Sequence, residues 1–107
     1  MILITIYQDP KGRFTGFDSE GHAEYAESGS DIVCAAVSAL IINGMNSIEQ
    51  LTGDEFTQEF DEEQGVIRYR LTTYGHDAQL LFHSMILGLE EIESNYSEYM
   101  DVIFKEV

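Results

Sequence analysis

Gly29-Ser30-Asp31-Ile32-Val33-Cys34-Ala35-Ala36-Val37-Ser38-Ala39-Leu40-Ile41-Ile42 is the stretch on which the fold turns. Glycine, serine and aspartate in succession are helix-start chemistry. Ser30 or Asp31 can serve as N-cap, because a short side-chain oxygen accepts bonds from the backbone N–H groups that a first turn leaves free. From Ile32 onward the run is apolar almost all round. That pattern predicts a helix buried on several sides, the alanines and leucine favouring helix over strand. It continues through Met45, Ile48 and Leu51 and should stop at Thr52-Gly53, glycine being the usual residue beyond a helix end.

Working outward, Ile2 to Tyr7 reads as a β-branched strand with both faces largely apolar, a central strand covered on both sides or at a dimer contact. Asp9-Pro10-Lys11-Gly12 is a turn. Arg13 to Asp18 is a second strand, with Phe14 and Phe17 expected on opposite faces. Beyond the helix, Glu55 to Glu59 and Val66 to Thr72 form a second hairpin around the charged turn Asp61-Glu62-Glu63-Gln64-Gly65. Tyr74-Gly75-His76-Asp77 leads into a second helix with Ala78, Leu81, Phe82, Met85, Leu89 and Ile92 on one stripe. Tyr96 to Val107 closes the chain as a strand. The order is ββαββαβ, and the fold class is α/β: a mixed five-stranded sheet carrying two helices as an α/β sandwich, in one domain over residues 1–107.

The composition bounds the chemistry. Twenty acidic residues against five basic ones leave a net charge of −15. Nucleic-acid binding needs cations to replace released counterions, and anionic membranes repel such a surface, so neither partner is expected. The charge favours a basic peptide or protein. The single cysteine excludes an internal disulfide and suits a reducing cytoplasm. The apolar opening Met1 to Tyr7 lacks a signal peptide's basic region and cleavage site, and no run approaches the length of a membrane span.

Cys34 falls in the first turn of the central helix, and His22 lies upstream on the exit from the second strand. A thiol there meets the helix dipole, and a neighbouring imidazole can take its proton. Backbone N–H groups at the helix start, that of Cys34 included, are candidate oxyanion donors. Asp31 and Ser38 lie one turn to either side of Cys34. Either can line the site or orient His22; equally, Asp31 can act only as a cap and Ser38 can bond back to the preceding turn. Rival sites are weak. His22, Cys34, His76 and His83 lack ligand-pair spacing, so no metal is expected, and no phosphate-cradling glycine pattern or cofactor motif is present. His83 reads as a packing histidine, and His76 as a helix-start residue. Asp61-Glu62-Glu63 reads as a solvated turn that can help hold a basic substrate. The aromatics between 96 and 104 read as strand packing.

Gly21-His22-Ala23, followed by Gly29-Ser30-Asp31-Ile32-Val33-Cys34-Ala35-Ala36-Val37-Ser38, resembles the ribosomal-processing cysteine protease family, Prp, whose pattern is GHA and then G-x-D-x-V-C-A-A-V-S. The likeness extends over the whole chain in length, element order and acidity. It implies a bacterial cytoplasmic endopeptidase, without cofactor, that removes an N-terminal extension from the twenty-seventh protein of the large ribosomal subunit. By match to the motif, Cys34 is the nucleophile and His22 its proton donor and acceptor, with Gly21, Asp31 and Ser38 as possible supporting residues. It further implies a homodimer and a mobile loop, here Glu24 to Ser30. A non-catalytic acidic module that binds a basic ribosomal protein or assembly factor shares the charge and the fold but not a role for Cys34 or His22.

Overall fold

The computed structural model describes residues 1–27 and 31–107. The expected order is present: β1 (Ile2–Gln8), β2 (Phe14–Glu20), α1 (Ile32–Leu51), β3 (Phe56–Asp61), β4 (Val66–Leu71), α2 (His76–Asn95) and β5 (Met100–Glu106). The strands form one mixed sheet in the order β3-β4-β2-β1-β5. Both hairpins pair antiparallel, as β2 does with β4, while β5 joins β1 in parallel. Ser30, one of the two candidate caps, and the last part of the Glu24–Ser30 loop lie outside the described residues.

Both helices lie on one face of the sheet. Ile2, Ile4 and Ile6 of β1, Phe17 of β2 and Tyr69 and Leu71 of β4 point into a core closed by Val33, Val37, Ile41 and Ile48 of α1 and Phe82, Ile86 and Leu89 of α2. The register puts Leu3, Thr5, Asp18, Arg68 and Arg70 on the opposite face, which neither helix covers. There the Arg70 guanidinium bonds Asp18 at 2.8 Å, and the Tyr7 hydroxyl donates to the same carboxylate. So β1 is covered on one side only.

Some sequence expectations are corrected. Phe14 and Phe17 share a face: their rings lie 5.5 and 6.0 Å from that of Phe82. The register steps from Tyr7↔Gly16 to Gln8↔Phe14, so Thr15 is an extra residue, and a bulge reverses the alternation. Gln79 secures it, its Oε1 accepting the Phe14 N–H and its Nε2 donating to the Phe14 carbonyl.

The second correction concerns α1, which is buried along one side rather than several. Ile32 and Ile42 stay about half exposed on the side away from the sheet. By length and composition alone α1 is apolar enough to cross a membrane; in this fold its large side chains serve the core, and two glycines seat it against α2. A Cβ on Gly44 would meet the Met85 side chain, and one on Gly88 would meet Leu40.

As expected, α1 stops at Thr52-Gly53: Thr52 is the C-cap, its N–H and hydroxyl both donating to the Ile48 carbonyl. A residue whose side chain bonds back to the last turn makes a left-handed glycine unnecessary. The last strand also starts later than expected. Tyr96 to Tyr99 form a turn before it, with the Tyr99 N–H on the Tyr96 carbonyl.

Candidate active site

The site is built where β2 hands over to α1. Gly21 follows the last residue of β2 with φ +87°, a left-handed conformation that glycine takes without strain. A side chain there would also collide with the Met1 carbonyl oxygen. The turn carries His22 off the sheet and lays its ring against Gly65 of the β3–β4 turn. A Cβ on Gly65 would sit 3.0 Å from His22 Cε1. Ala23 then plugs into the core at 2% exposure, and Glu24 takes φ 59°.

Asp31 is the N-cap. Its Oδ1 accepts the N–H groups of Val33 and Cys34, both at 3.0 Å, and its Oδ2 accepts the Tyr25 N–H at 3.1 Å. One carboxylate therefore caps the helix and ties the incoming loop to it. The Cys34 N–H, one of the candidate oxyanion donors, is thus bonded to Asp31 in this structure.

Cys34 is half-buried in the first turn of α1, and its Sγ accepts the Ala23 N–H at 3.2 Å. Burial pushes the thiol above its ordinary range; the Ala23 bond opposes this, and the adjacent Asp31 carboxylate reinforces it. The helix start alone would favour thiolate. The Asp31 carboxylate beside the sulfur and the burial of the thiol both work against that preference.

His22 and Cys34 line the same two grooves. No hydrogen bond joins them among the described residues. Catalytic hydrogen bonds are often long before substrate binds, so shared lining is the informative observation. One groove, a cavity of about 210 Å³, runs between α1 and the β3–β4 hairpin and is walled by Val37, Ile41, Phe60 and Ile67. Asp61 and Glu62 of the charged turn, both exposed, also line it. The other, about 540 Å³, lies toward Glu24, Asp31 and Ala35. Ser38, exposed one turn after Cys34, also lines both grooves, and among the described residues it does not bond back to the preceding turn.

Two features escaped the sequence reading: the Ala23 N–H on the sulfur, and Gly65 against the histidine. Only the glycine carried a signal, and it was indistinguishable from that of an ordinary turn. His76 and His83 lie far along the chain on α2, outside both grooves; His83 is exposed, its ring 5.4 Å from Phe14. Among the described residues no three His, Cys, Asp or Glu side chains are grouped as metal ligands would be.

The family model for the cysteine protease Prp matches residues 1–101. The chain belongs to this family of cysteine proteases. It is 33% identical over 106 residues to the ribosomal processing cysteine protease Prp of Staphylococcus aureus, covering 98% of this chain and all of that one. It is 33% identical over 107 residues to the Bacillus subtilis protein of the same name, covering 95% of this chain and 96% of that one. The crystal structure of the essential S. aureus Prp in complex with a covalently linked product peptide superposes with a TM-score of 0.94 at 33% identity, covering 98% of this chain and 100% of that one. The S. aureus enzyme with a substrate peptide gives 0.88 at 32% identity over the same shares. The ββαββαβ mixed sheet is thus the Prp fold, and the chain is a peptide-bond hydrolase.

Proposed function

We propose that Cys34 is the nucleophile and His22 its proton carrier in an endopeptidase that trims the N-terminal extension of a basic ribosomal protein, the twenty-seventh of the large subunit. The observation that carries this reading is that thiol and imidazole line the same two grooves. The apolar groove suits the apolar side chains of an extended peptide. The acidic residues around both grooves, with the net charge of −15, suit a basic substrate.

The chemistry runs in two halves. His22 takes the Cys34 proton as the sulfur attacks the carbonyl carbon. The resulting imidazolium protonates the leaving amine as the C–N bond breaks, leaving a thioester. Water then gives a proton to His22 and attacks the thioester; the C–S bond breaks, the sulfur takes that proton back from His22, and the acid product departs. A covalently linked peptide on the S. aureus relative accords with a thioester route.

The test is to incubate the protein with a synthetic peptide spanning the extension and read the products by mass. Two fragments are expected from the parent and none from Cys34→Ala, with the folded state of the variant confirmed by its melting curve. Cleavage by Cys34→Ala refutes the assignment. The reading places the enzyme in the bacterial cytoplasm as a homodimer. The uncovered sheet face, with Ile103 at 40% exposure, is a surface that a second copy can take up, and sedimentation measures that mass.

A further inference from the structure

The segment that carries His22 and Ala23 is fastened at a third point, away from the grooves. The Tyr25 ring stands edge-on against two tyrosines of the α2–β5 connection, 5.7 Å from Tyr96 and 5.0 Å from Tyr99. We propose that Tyr25, clasped by Tyr96 and Tyr99, is a positioning residue that holds the Ala23 amide against the Cys34 sulfur.

The receiving tyrosines are themselves fixed. Both pack against the core, the Tyr96 N–H bonds the last turn of α2, and the Tyr99 carbonyl accepts the Ile2 N–H at the start of β1. Between Ala23 and Tyr25 the chain turns through Glu24 in the left-handed region, which a non-glycine residue keeps only where its surroundings over-determine it. The surroundings here are the Ala23 side chain in the core, the Tyr25 N–H on Asp31, and the Tyr25 ring in the clasp. The first two fix the backbone at either end. Among the described residues the clasp is the side-chain contact that resists rotation of the segment about the line joining them, and that rotation would lift the Ala23 N–H off the sulfur. Edge-on aromatic pairs supply attraction beyond simple burial, and two act at once here. The Tyr25 hydroxyl is not needed for this role.

The inference rests on Cys34 as nucleophile, but its test reads the thiol directly and fails separately from the peptidase reading. Cys34 is the chain's single cysteine, so iodoacetamide reports on it alone. The groups that line the grooves beside it are His22, Glu24, Asp31, Asp61 and Glu62, all unchanged in the variants. Alkylation rate is followed against pH and normalised to its alkaline plateau, which removes differences in access. Losing one hydrogen bond to the sulfur moves the midpoint of Tyr25→Ala upward and lowers its normalised rate at neutral pH about two- to tenfold. Tyr25→Phe keeps the ring and keeps the parental profile. Tyr99→Ala shifts the midpoint in the same direction, and the double variant shifts it by less than the two single changes added. An unmoved or lowered midpoint in Tyr25→Ala, a Tyr25→Phe profile matching that of alanine, or strictly additive shifts overturns the proposal.

Discussion

The chain builds the same ββα unit twice, and only one copy makes a site. In each, an antiparallel hairpin feeds a twenty-residue helix packed on the same face of the sheet. In the second, Thr72–Gly75 connects β4 to α2. That connection is too short to do anything but turn. Gly75, the N-cap, has no capping side chain; its own N–H goes to Asp54, before β3, and Gln79 pins the helix to the β2 bulge. In the first unit, Gly21–Asp31 connects β2 to α1. That length lets the chain leave the sheet at Gly21, set an imidazole in a groove, return an amide to the helix, and end on a carboxylate that caps it. A helix start becomes a candidate site when the segment before it is long enough to bring a second functional group back to the first turn.

The largest effects test that contrast by removing its chemistry. Cys34→Ala should lower kcat/KM for the extended peptide about a thousandfold or more, and His22→Ala about a hundred- to ten-thousandfold. Melting temperatures should stay near the parent, since His22 is exposed and Cys34 packs only half-buried against the edge of the core. Gly21→Ala comes next. It forces a Cβ into a left-handed position and against the Met1 carbonyl, so it should destabilise by about 1–3 kcal/mol and displace His22, lowering activity as well. The matching change in the second unit is Gln79→Ala, which leaves both polar groups of Phe14 unpaired beneath the helix. It should cost about 1–3 kcal/mol in chemical denaturation yet leave the Cys34 alkylation profile unchanged. A shifted profile in Gln79→Ala would mean that the two units are not separable.

How much of this the residues declare in advance depends on distance along the chain. The β1–β2 turn was legible because Asp9 bonds its own neighbours, accepting the N–H groups of Lys11 and Arg13. The Asp31 cap was legible for the same reason. The bulge at Thr15 was not, because it depends on how β2 pairs with β1 and on Gln79 arriving from α2. Nor was the cap of α2, since Asp54 comes from another part of the sequence. At the site, Cys34 and His22 could be chosen from the motif, and the fold does bring them to one groove. The balance acting on the thiol was less legible: a helix start favours a thiolate, whereas burial and the capping carboxylate both oppose it. Tyr96 and Tyr99 read as strand aromatics because nothing local shows that Tyr25 reaches them.

Asp31 offers the smallest and most discriminating prediction, because its two roles carry opposite signs. As a cap it stabilises α1 and ties down Tyr25; as a negative charge beside Cys34 it disfavours the thiolate. Asparagine caps helices about as well as aspartate but carries no charge. In Asp31→Asn, then, the helix start should persist while one of the two influences raising the thiol is removed. The sign follows directly. A thiol whose folded pKa lies above its unfolded value adds stability that is complete below the unfolded pKa and is lost as pH rises through the folded one. Lowering the folded pKa narrows that alkaline window and moves the alkylation midpoint to lower pH. Cys34 in Asp31→Asn should therefore react a few-fold faster with iodoacetamide at neutral pH, in a protein that melts close to the parent. Asp31→Ala removes the charge and the cap together. It should share the lowered midpoint only so far as the Ala23 amide stays on the sulfur, and it should melt earlier. If Asp31→Asn instead reacts more slowly than the parent, the carboxylate assists the thiolate, and the resting site is already charged.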